Sequence, residues 1–229
     1  MTAEMVPQLR QADLMQVTDE QLAADGLTIR DVTIAGFEGD DITVSVITRR
    51  DHRGTGPGIY NTHGGGMVTG NRFAAIGQCI PWVQEHDAVL VTVEYRLAPE
   101  YPDPYPIEDC YAGLVWTAEH AHELGIDPSR LIIAGPSAGG GLAAGTALLA
   151  RDRKGPALAG QVLMYPMLDD RNQTASRTSS MASASGTAAA TSWAGPPSSA
   201  TAAAPRTSPP TPRPHAPPTC PGSRPRSSK

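Results

Sequence analysis

Two stretches near the start of the chain alternate apolar and polar residues with a period of two. They are "LTIRDVTIAG" (residues 27–36) and "DITVSVITRR" (residues 41–50), separated by a turn rich in Gly and Asp. Because successive side chains of a strand point to opposite faces, this alternation predicts two strands that each bury one face. The short turn predicts that the two strands pair as an antiparallel hairpin.

The middle of the chain alternates short apolar runs, which predict strands, with longer stretches of helical periodicity. The predicted strands are 57–63, 88–95, 130–135 and 158–166, and the predicted helices are 74–86, 105–125 and 137–152. Pro81 is expected to bend or interrupt the first helix, and Gly125 to end the second. Strands that alternate with helices predict the α/β class: a mostly parallel sheet with helices on both faces and the hairpin at its edge.

The corner between a predicted strand and a predicted helix carries the first sign of chemistry. Its residues, Gly135-Pro136-Ser137-Ala138-Gly139, fit the pattern G-x-S-x-G. In this setting the pattern is typical of a nucleophile elbow, a sharp turn that presents its serine above the sheet. A β-carbon at Gly135 or Gly139 would collide with the neighbouring chain, which explains the glycines. Ser137 is therefore the candidate nucleophile.

Two other interpretations of this corner remain open. A serine at the start of a helix often does no more than cap the helix with its hydroxyl. Residues 139–144 also fit the looser dinucleotide-binding pattern G-x-G-x-x-A, which requires an acidic residue about 20 positions further on. That requirement disfavours a dinucleotide site, because no Asp or Glu lies between Asp152 and Asp169.

A second glycine-rich motif, His63-Gly64-Gly65-Gly66, follows a predicted strand well before the serine. Three glycines allow backbone N–H groups to turn toward one point, as the oxyanion formed during ester cleavage requires. We expect the amides of Gly64, Gly65 and Ala138 to form this oxyanion hole, and His63 to shape the loop rather than act as a base. A flexible turn is the alternative. A phosphate-binding loop is excluded, because the Gly-Lys-Ser/Thr ending is missing.

With both motifs in this order, the sequence resembles the hormone-sensitive-lipase-like branch of the α/β-hydrolases, a family of small bacterial carboxylesterases. The resemblance runs from about residue 58 to 177 and rests on "HGGG", "VEYRLAPEYPDPYPIEDCYAGLVW", "DPSRLIIAGPSAGGGLAAG" and "LMYPMLDDR". It implies the α/β-hydrolase fold and a lipase- or carboxylesterase-type serine hydrolase for short-chain acyl esters, with no cofactor or metal. It also implies a helical cap, for which residues 1–25 are the candidate. Pro136 departs from the family, which often has an acid there.

The composition changes abruptly near Arg177. Residues 178–229 contain no Leu, Ile, Val, Phe, Tyr, Asp or Glu, and they hold half of the chain's 22 prolines. Such a segment cannot bury enough apolar surface to offset the entropy of ordering, so we expect a disordered tail. Residues 26–177 are then a partial α/β-hydrolase domain whose sheet is incomplete at its C-terminal side.

A serine hydrolase of this fold also needs an acid and then a histidine after its serine. The acids after Ser137 are Asp152, Asp169 and Asp170, and the single histidine is His215 in the tail. Read one base out of step, "RPHAPPTCPGSRP" (residues 213–225) permits Ala-Pro-Arg-Ala-Thr-Asp-Leu-Ser-Gly-Leu-Pro-Pro, which resembles a family segment before the catalytic acid. We therefore expect a frameshift near codons 177–181; a natural Ala/Ser/Pro tail is the alternative. An alternative reading frame of the gene without Asp and His in family context would contradict the frameshift.

Bulk properties narrow the range of partners. The formal net charge is −5, and no basic cluster favours a nucleic-acid surface. The N-terminus lacks the basic start and apolar core of a secretory signal, and no apolar run reaches the ~20 residues of a membrane span. We expect a cytoplasmic protein that acts on a small-molecule ester, with a homo-oligomer left open. The alternative function is a non-catalytic binding protein of the same fold, or a pseudogene-type fragment.

Overall fold

A mixed sheet of six strands organises the part of the chain that the structure, a computed structural model, describes: residues 6–11 and 16–169. The strands are β1 (Leu27–Ala35), β2 (Asp41–Arg49), β3 (Gly56–Thr62), β4 (Val89–Glu94), β5 (Ile126–Pro136) and β6 (Gly160–Met164). They lie in the order β1-β2-β4-β3-β5-β6. β2 is antiparallel to both of its neighbours, and the remaining pairs are parallel. The predicted mostly parallel sheet with a hairpin at its edge is confirmed.

The described helices connect these strands and precede the first of them. They are α1 (Val6–Gln11), α2 (Asp19–Ala24), α3 (Ile80–His86), α4 (Tyr105–Glu119) and α5 (Ala138–Asp152). A capping box begins α2: the hydroxyl of Thr18 accepts from the N–H of Gln21, and the Gln21 side chain accepts from the N–H of Thr18. None of the helices in the described ranges has the length and apolar content needed to cross a membrane.

Two predicted helices differ from the observed ones at their ends. The helix predicted over residues 74–86 begins only at Ile80, after a short 3-10 turn. Pro81 lies in its first turn, where a missing N–H costs no hydrogen bond, so this proline starts a helix rather than bending one. The helix predicted to end at Gly125 ends at Glu119, and the chain then continues through turns.

Apolar side chains pack on both faces of the sheet. On one face, a cluster that includes Val91 of β4 joins the sheet to α4 through Leu114 and to α5 through Leu142. On the other face, a second cluster joins the next residue along β4, Leu90, to α3 through Val83. Because consecutive strand residues point to opposite faces, β4 is covered from both sides, and its residues from Val89 to Val93 are all buried.

A buried ion pair joins α4 to the loop after β4 and to the β1–β2 turn. The carboxylate of Asp109 is fully buried and accepts from Nε and Nη2 of Arg96, each at 2.8 Å. It also accepts from the backbone N–H of Phe37 at 2.9 Å and of Arg96 at 3.1 Å. Hydrogen bonding to Asp109 raises the pKa of Arg96, and this guanidinium also pairs with the exposed Asp40 at 2.7 Å. No pattern in the sequence predicted this network.

The N-terminal helix α1 lies against the chain beyond the HGGG motif. Arg10 donates to the carbonyl oxygens of Val68, at 2.8 Å, and Ala98, at 2.9 Å, and it pairs with Glu100 at 2.7 Å. These contacts bring the N-terminal segment to the edge of the sheet where the two motifs lie. A cap over residues 1–25 remains a prediction, since part of that segment lies outside the described residues.

β6 is the last strand of the sheet in the described ranges, where its one neighbour is β5. Large apolar side chains near it are exposed to solvent; they are Leu148, Tyr165, Met167 and Leu168. The predicted domain boundary at residue 177 and the predicted disordered tail over 178–229 lie outside the described residues. Both stay predictions.

Candidate active site

Three loops that follow parallel strands meet at one edge of the sheet. They are the HGGG loop (residues 63–66) after β3, the elbow (residues 135–139) at the end of β5, and the post-β6 segment (residues 165–169). The carboxyl ends of parallel strands share one edge, and ligands of open α/β sheets bind outside that edge. The sequence-predicted site residues all lie in the first two of these loops.

Ser137 alone makes the turn from β5 into α5. The strand ends at Pro136 and the helix begins at Ala138, and Ser137 between them has φ 54° and ψ −120°. Non-glycine residues rarely adopt such a positive φ, and it is typical of strained functional sites. The half-buried Ser137 makes no capping hydrogen bond with the helix through its hydroxyl, so the structure does not support the helix-cap interpretation.

Glycines let the elbow pack closely against the end of β3. A β-carbon on Gly139 would lie 2.5 Å from the carbonyl oxygen of His63, and nearer still to that of Thr62. A β-carbon on Gly135 would lie 2.5 Å from the carbonyl group of Gly139. The hydroxyl of Thr62 donates to the carbonyl oxygen of Gly139 at 2.7 Å, which ties β3 to α5. Sequence reasoning found both glycines but missed Thr62.

The HGGG loop contacts the elbow directly. A β-carbon on Gly64 would lie 3.7 Å from Cβ of Ser137 and 3.1 Å from the carbonyl oxygen of Pro136. Gly65 has φ 116°, and its carbonyl oxygen accepts from the N–H of Thr69 at 3.0 Å. The structure therefore brings together the two motifs that sequence analysis joined only by their order along the chain.

The residues predicted to form an oxyanion hole are Gly64, Gly65 and Ala138. Their backbone N–H groups are among those at this junction that make no hydrogen bond within the described part of the chain. Ala138 is the first residue of α5, so its N–H is one of those that a helix start leaves without an intrahelical partner. The helix dipole adds partial positive charge at this end, and such a group of donors suits an anion.

His63 is buried and stacks on the ring of Tyr95, with the ring centroids 4.0 Å apart. Its Nδ1 lies 2.7 Å from the carbonyl oxygen of Gly64, and since a carbonyl oxygen can only accept, Nδ1 carries the proton. Burial lowers the pKa of His63 to about 4, so the ring is neutral at pH 7. Its Nε2 has no hydrogen-bond partner among the described residues. These contacts agree with a supporting role in the loop.

We expect mild acid to destabilise the fold through His63. The unfolded chain protonates this side chain near its ordinary pKa of 6.5, whereas the folded chain resists protonation down to about 4. Between these values the unfolded state binds more protons, so stability falls as the pH is lowered. The loss between pH 7 and pH 5 is about 2 kcal/mol. Denaturant unfolding at both pH values, with the wild type and His63→Asn, measures it. A His63→Asn chain that loses as much stability between pH 7 and pH 5 as the wild type would show that His63 is not the group responsible.

No described histidine or carboxylate hydrogen-bonds to the hydroxyl of Ser137. The protonated Nδ1 of His63 is engaged by its own loop, and Asp152 pairs with Arg151 at the last turn of α5. Asp169 lies on the post-β6 segment, and His215 lies outside the described residues. The acid–histidine pair that activates a serine is therefore not among the contacts that the described residues make with Ser137.

Comparison with known proteins agrees with this architecture. Residues 59–220 match the family described as alpha/beta hydrolase fold. Carboxylesterase NlhH of Mycobacterium tuberculosis is 39% identical over 167 residues, which cover 71% of this chain and 46% of that protein. Esterase LipI of the same organism is 46% identical over 110 residues, which cover 48% of this chain and 34% of that protein. The chain therefore belongs to the α/β-hydrolase fold family.

Solved structures of esterases are also similar to this chain. A bacterial heroin esterase superposes with a TM-score of 0.67 at 40% identity, covering 76% of this chain and 54% of that one. A thermostable esterase from Pseudomonas putida superposes with a TM-score of 0.65 at 34% identity, covering 77% and 54%. The resemblance to the hormone-sensitive-lipase-like bacterial carboxylesterases is confirmed. The chain spans between a third and a half of the length of the two curated relatives named above.

Proposed function

We propose that this chain carries the nucleophile and oxyanion hole of a carboxylesterase for short-chain acyl esters. The observation that carries the proposal is the position of Ser137. It sits at a positive-φ corner, against a loop whose Gly64 and Gly65 N–H groups, like that of Ala138, make no hydrogen bond within the described residues. Relatives named as esterases and carboxylesterases support the same chemistry.

The reaction proposed is acyl transfer to Ser137. The hydroxyl oxygen attacks the carbonyl carbon of the ester, the hydroxyl proton leaves, and the carbonyl electrons move onto the carbonyl oxygen. That oxyanion accepts hydrogen bonds from the amides of Gly64, Gly65 and Ala138, and each such donor contributes about 3 kcal/mol to the transition state. Collapse expels the alcohol, which takes up a proton, and water then hydrolyses the acyl-serine.

The proposal includes a missing general base. The single histidine after Ser137 is His215, within a proline-rich stretch that contains no Leu, Ile, Val, Phe or Tyr to build a strand core. The serine proton then passes to solvent, and oxyanion stabilisation alone supports only a residual rate. Slow hydrolysis of p-nitrophenyl butyrate is expected. Rates typical of complete esterases would refute the missing base and leave the nucleophile assignment standing.

A fluorophosphonate probe tests the nucleophile. We expect the purified chain to form a covalent adduct on Ser137, located by mass spectrometry, at a rate about 100-fold above that of Ser137→Ala. The matched control is Ser129→Ala. Ser129 is exposed, and its hydroxyl donates to Asp127 at 2.7 Å, so its loss should leave labelling unchanged.

The same labelling experiment distinguishes an esterase from the second candidate function, a non-catalytic binding protein. A binding protein that has kept the fold but lost catalysis would label no faster than Ser137→Ala. That result would overturn the proposal, because the oxyanion donors alone should stabilise the transition state of labelling above background even without a general base.

A further inference from the structure

Two of the candidate oxyanion donors are the N–H groups of Gly64 and Gly65. The carbonyl oxygen of each of these two peptide groups accepts a hydrogen bond from a side chain. In a planar trans peptide, the C=O of one residue and the N–H of the next point in opposite directions. Whatever fixes the carbonyl of His63 therefore orients the N–H of Gly64. In the same way, whatever fixes the carbonyl of Gly64 orients the N–H of Gly65.

Two stacked aromatic rings supply these restraints. The hydroxyl of Tyr95 donates to the carbonyl oxygen of His63 at 2.9 Å. The Nδ1–H of His63 donates to the carbonyl oxygen of Gly64 at 2.7 Å. Tyr95 is buried beside the end of β4, 1% exposed, so its hydroxyl has no competing contact with bulk water. Each ring thus holds one of two consecutive peptide groups.

The third donor is restrained by backbone alone. The carbonyl oxygen of Ser137, which shares a peptide group with the N–H of Ala138, accepts from the N–H of Gly141 at 3.1 Å and of Met167 at 2.9 Å. Of the three candidate donors, only those of the HGGG loop depend on side chains. Tyr95 acts on the first of them, Gly64, which is also the glycine that lies against Ser137.

We propose that Tyr95 is a positioning residue for ester cleavage, whose hydroxyl sets the direction of the Gly64 N–H through the carbonyl of His63. This inference rests on the proposed function. Burial also raises the pKa of Tyr95 well above its ordinary value, so the hydroxyl keeps its proton and remains a donor in neutral and mildly alkaline solution.

Tyr95→Phe removes the hydroxyl and keeps the stacked ring. We expect the maximal rate constant of fluorophosphonate labelling at Ser137 to fall about ten-fold while the probe's binding constant stays unchanged, because the donor acts on the transition state. Tyr60→Phe is the matched control: Tyr60 is equally buried, and its hydroxyl donates to the carbonyl of Cys110 at 2.7 Å, outside the HGGG loop. Both variants lose one buried hydrogen bond and similar thermal stability, so equal labelling rates in the two would overturn the inference.

A second readout does not depend on reactivity. His63–Gly64 is the sole His–Gly step in the sequence, so a chain with carbonyl-13C histidine and 15N glycine gives one HNCO signal, that of the Gly64 amide. We expect Tyr95→Phe to move this signal and Tyr60→Phe to leave it in place. An unmoved signal in Tyr95→Phe would overturn the positioning role. A wild type that fails to label above Ser137→Ala would instead refute the proposed function, and the NMR signal would still decide whether Tyr95 holds the Gly64 amide.

Discussion

Gly139→Ala is expected to abolish fluorophosphonate labelling of Ser137 and to lower the free energy of unfolding by about 3 kcal/mol. Alanine in a helix normally gains up to about 1 kcal/mol over glycine. Here the added β-carbon would collide with the carbonyl oxygens of Thr62 and His63, which are backbone atoms at the junction of β3 and the HGGG loop. Relief of the collision requires the loop and the elbow to move apart, so the cost exceeds the gain and the site is lost. Denaturant unfolding and labelling kinetics measure the two effects.

Gly160→Ala is the control for that substitution. A β-carbon on Gly160 would lie 3.8 Å from Cγ2 of Ile132, which is an ordinary van der Waals contact. We expect unchanged labelling, and a stability that is unchanged or higher by up to about 1 kcal/mol. A Gly139→Ala chain that behaved like Gly160→Ala would show that the elbow does not press against β3 as the structure has it.

Asp109→Ala is expected to lower the free energy of unfolding by about 3–5 kcal/mol, because it leaves the Arg96 guanidinium without its buried partner. The carboxylate accepts four hydrogen bonds, and none of its surface is exposed. Asp40→Ala is the matched control, because Asp40 pairs with the same Arg96 guanidinium at 2.7 Å but its side chain is 66% exposed. Asp40→Ala should cost less than about 1 kcal/mol, because solvent screens that pair.

Chemical denaturation of the wild type and the two variants at one pH measures this difference. A typical domain has only about 5–15 kcal/mol of stability, so the Asp109 variant should unfold at a clearly lower denaturant concentration. Similar losses in both variants would mean that the ion pair is weaker than its burial indicates.

The position of Asp109 also matters for the candidate active site. Its carboxylate accepts a hydrogen bond from the backbone N–H of Arg96, the residue next to Tyr95. Loss of Asp109 is therefore expected to loosen the HGGG loop as well.

Local patterns in the chain determined the strands, the class of fold and the reactive corner. The alternation over residues 27–50 predicted the β1–β2 hairpin, and the glycines around Ser137 predicted the strand-to-helix turn. These features depend on residues that are neighbours in sequence, since side-chain alternation and backbone freedom are local properties. The predicted end of α4 was wrong by several residues. The helical periodicity continues to residue 125, but the helix itself ends at Glu119 and the chain then turns.

The supports of the site were decided only by tertiary structure. Tyr95 reaches the carbonyl of His63, Thr62 reaches that of Gly139, and Asp109 holds Arg96. Each contact joins residues whose distance depends on which strands are neighbours and in what register, and no short-range pattern records that. The amino-acid sequence by itself determined which hydroxyl and which amides were candidates for the chemistry. The packing of β3, β4 and β5 side by side determined that they meet, because the carboxyl ends of parallel strands converge only once the sheet has formed.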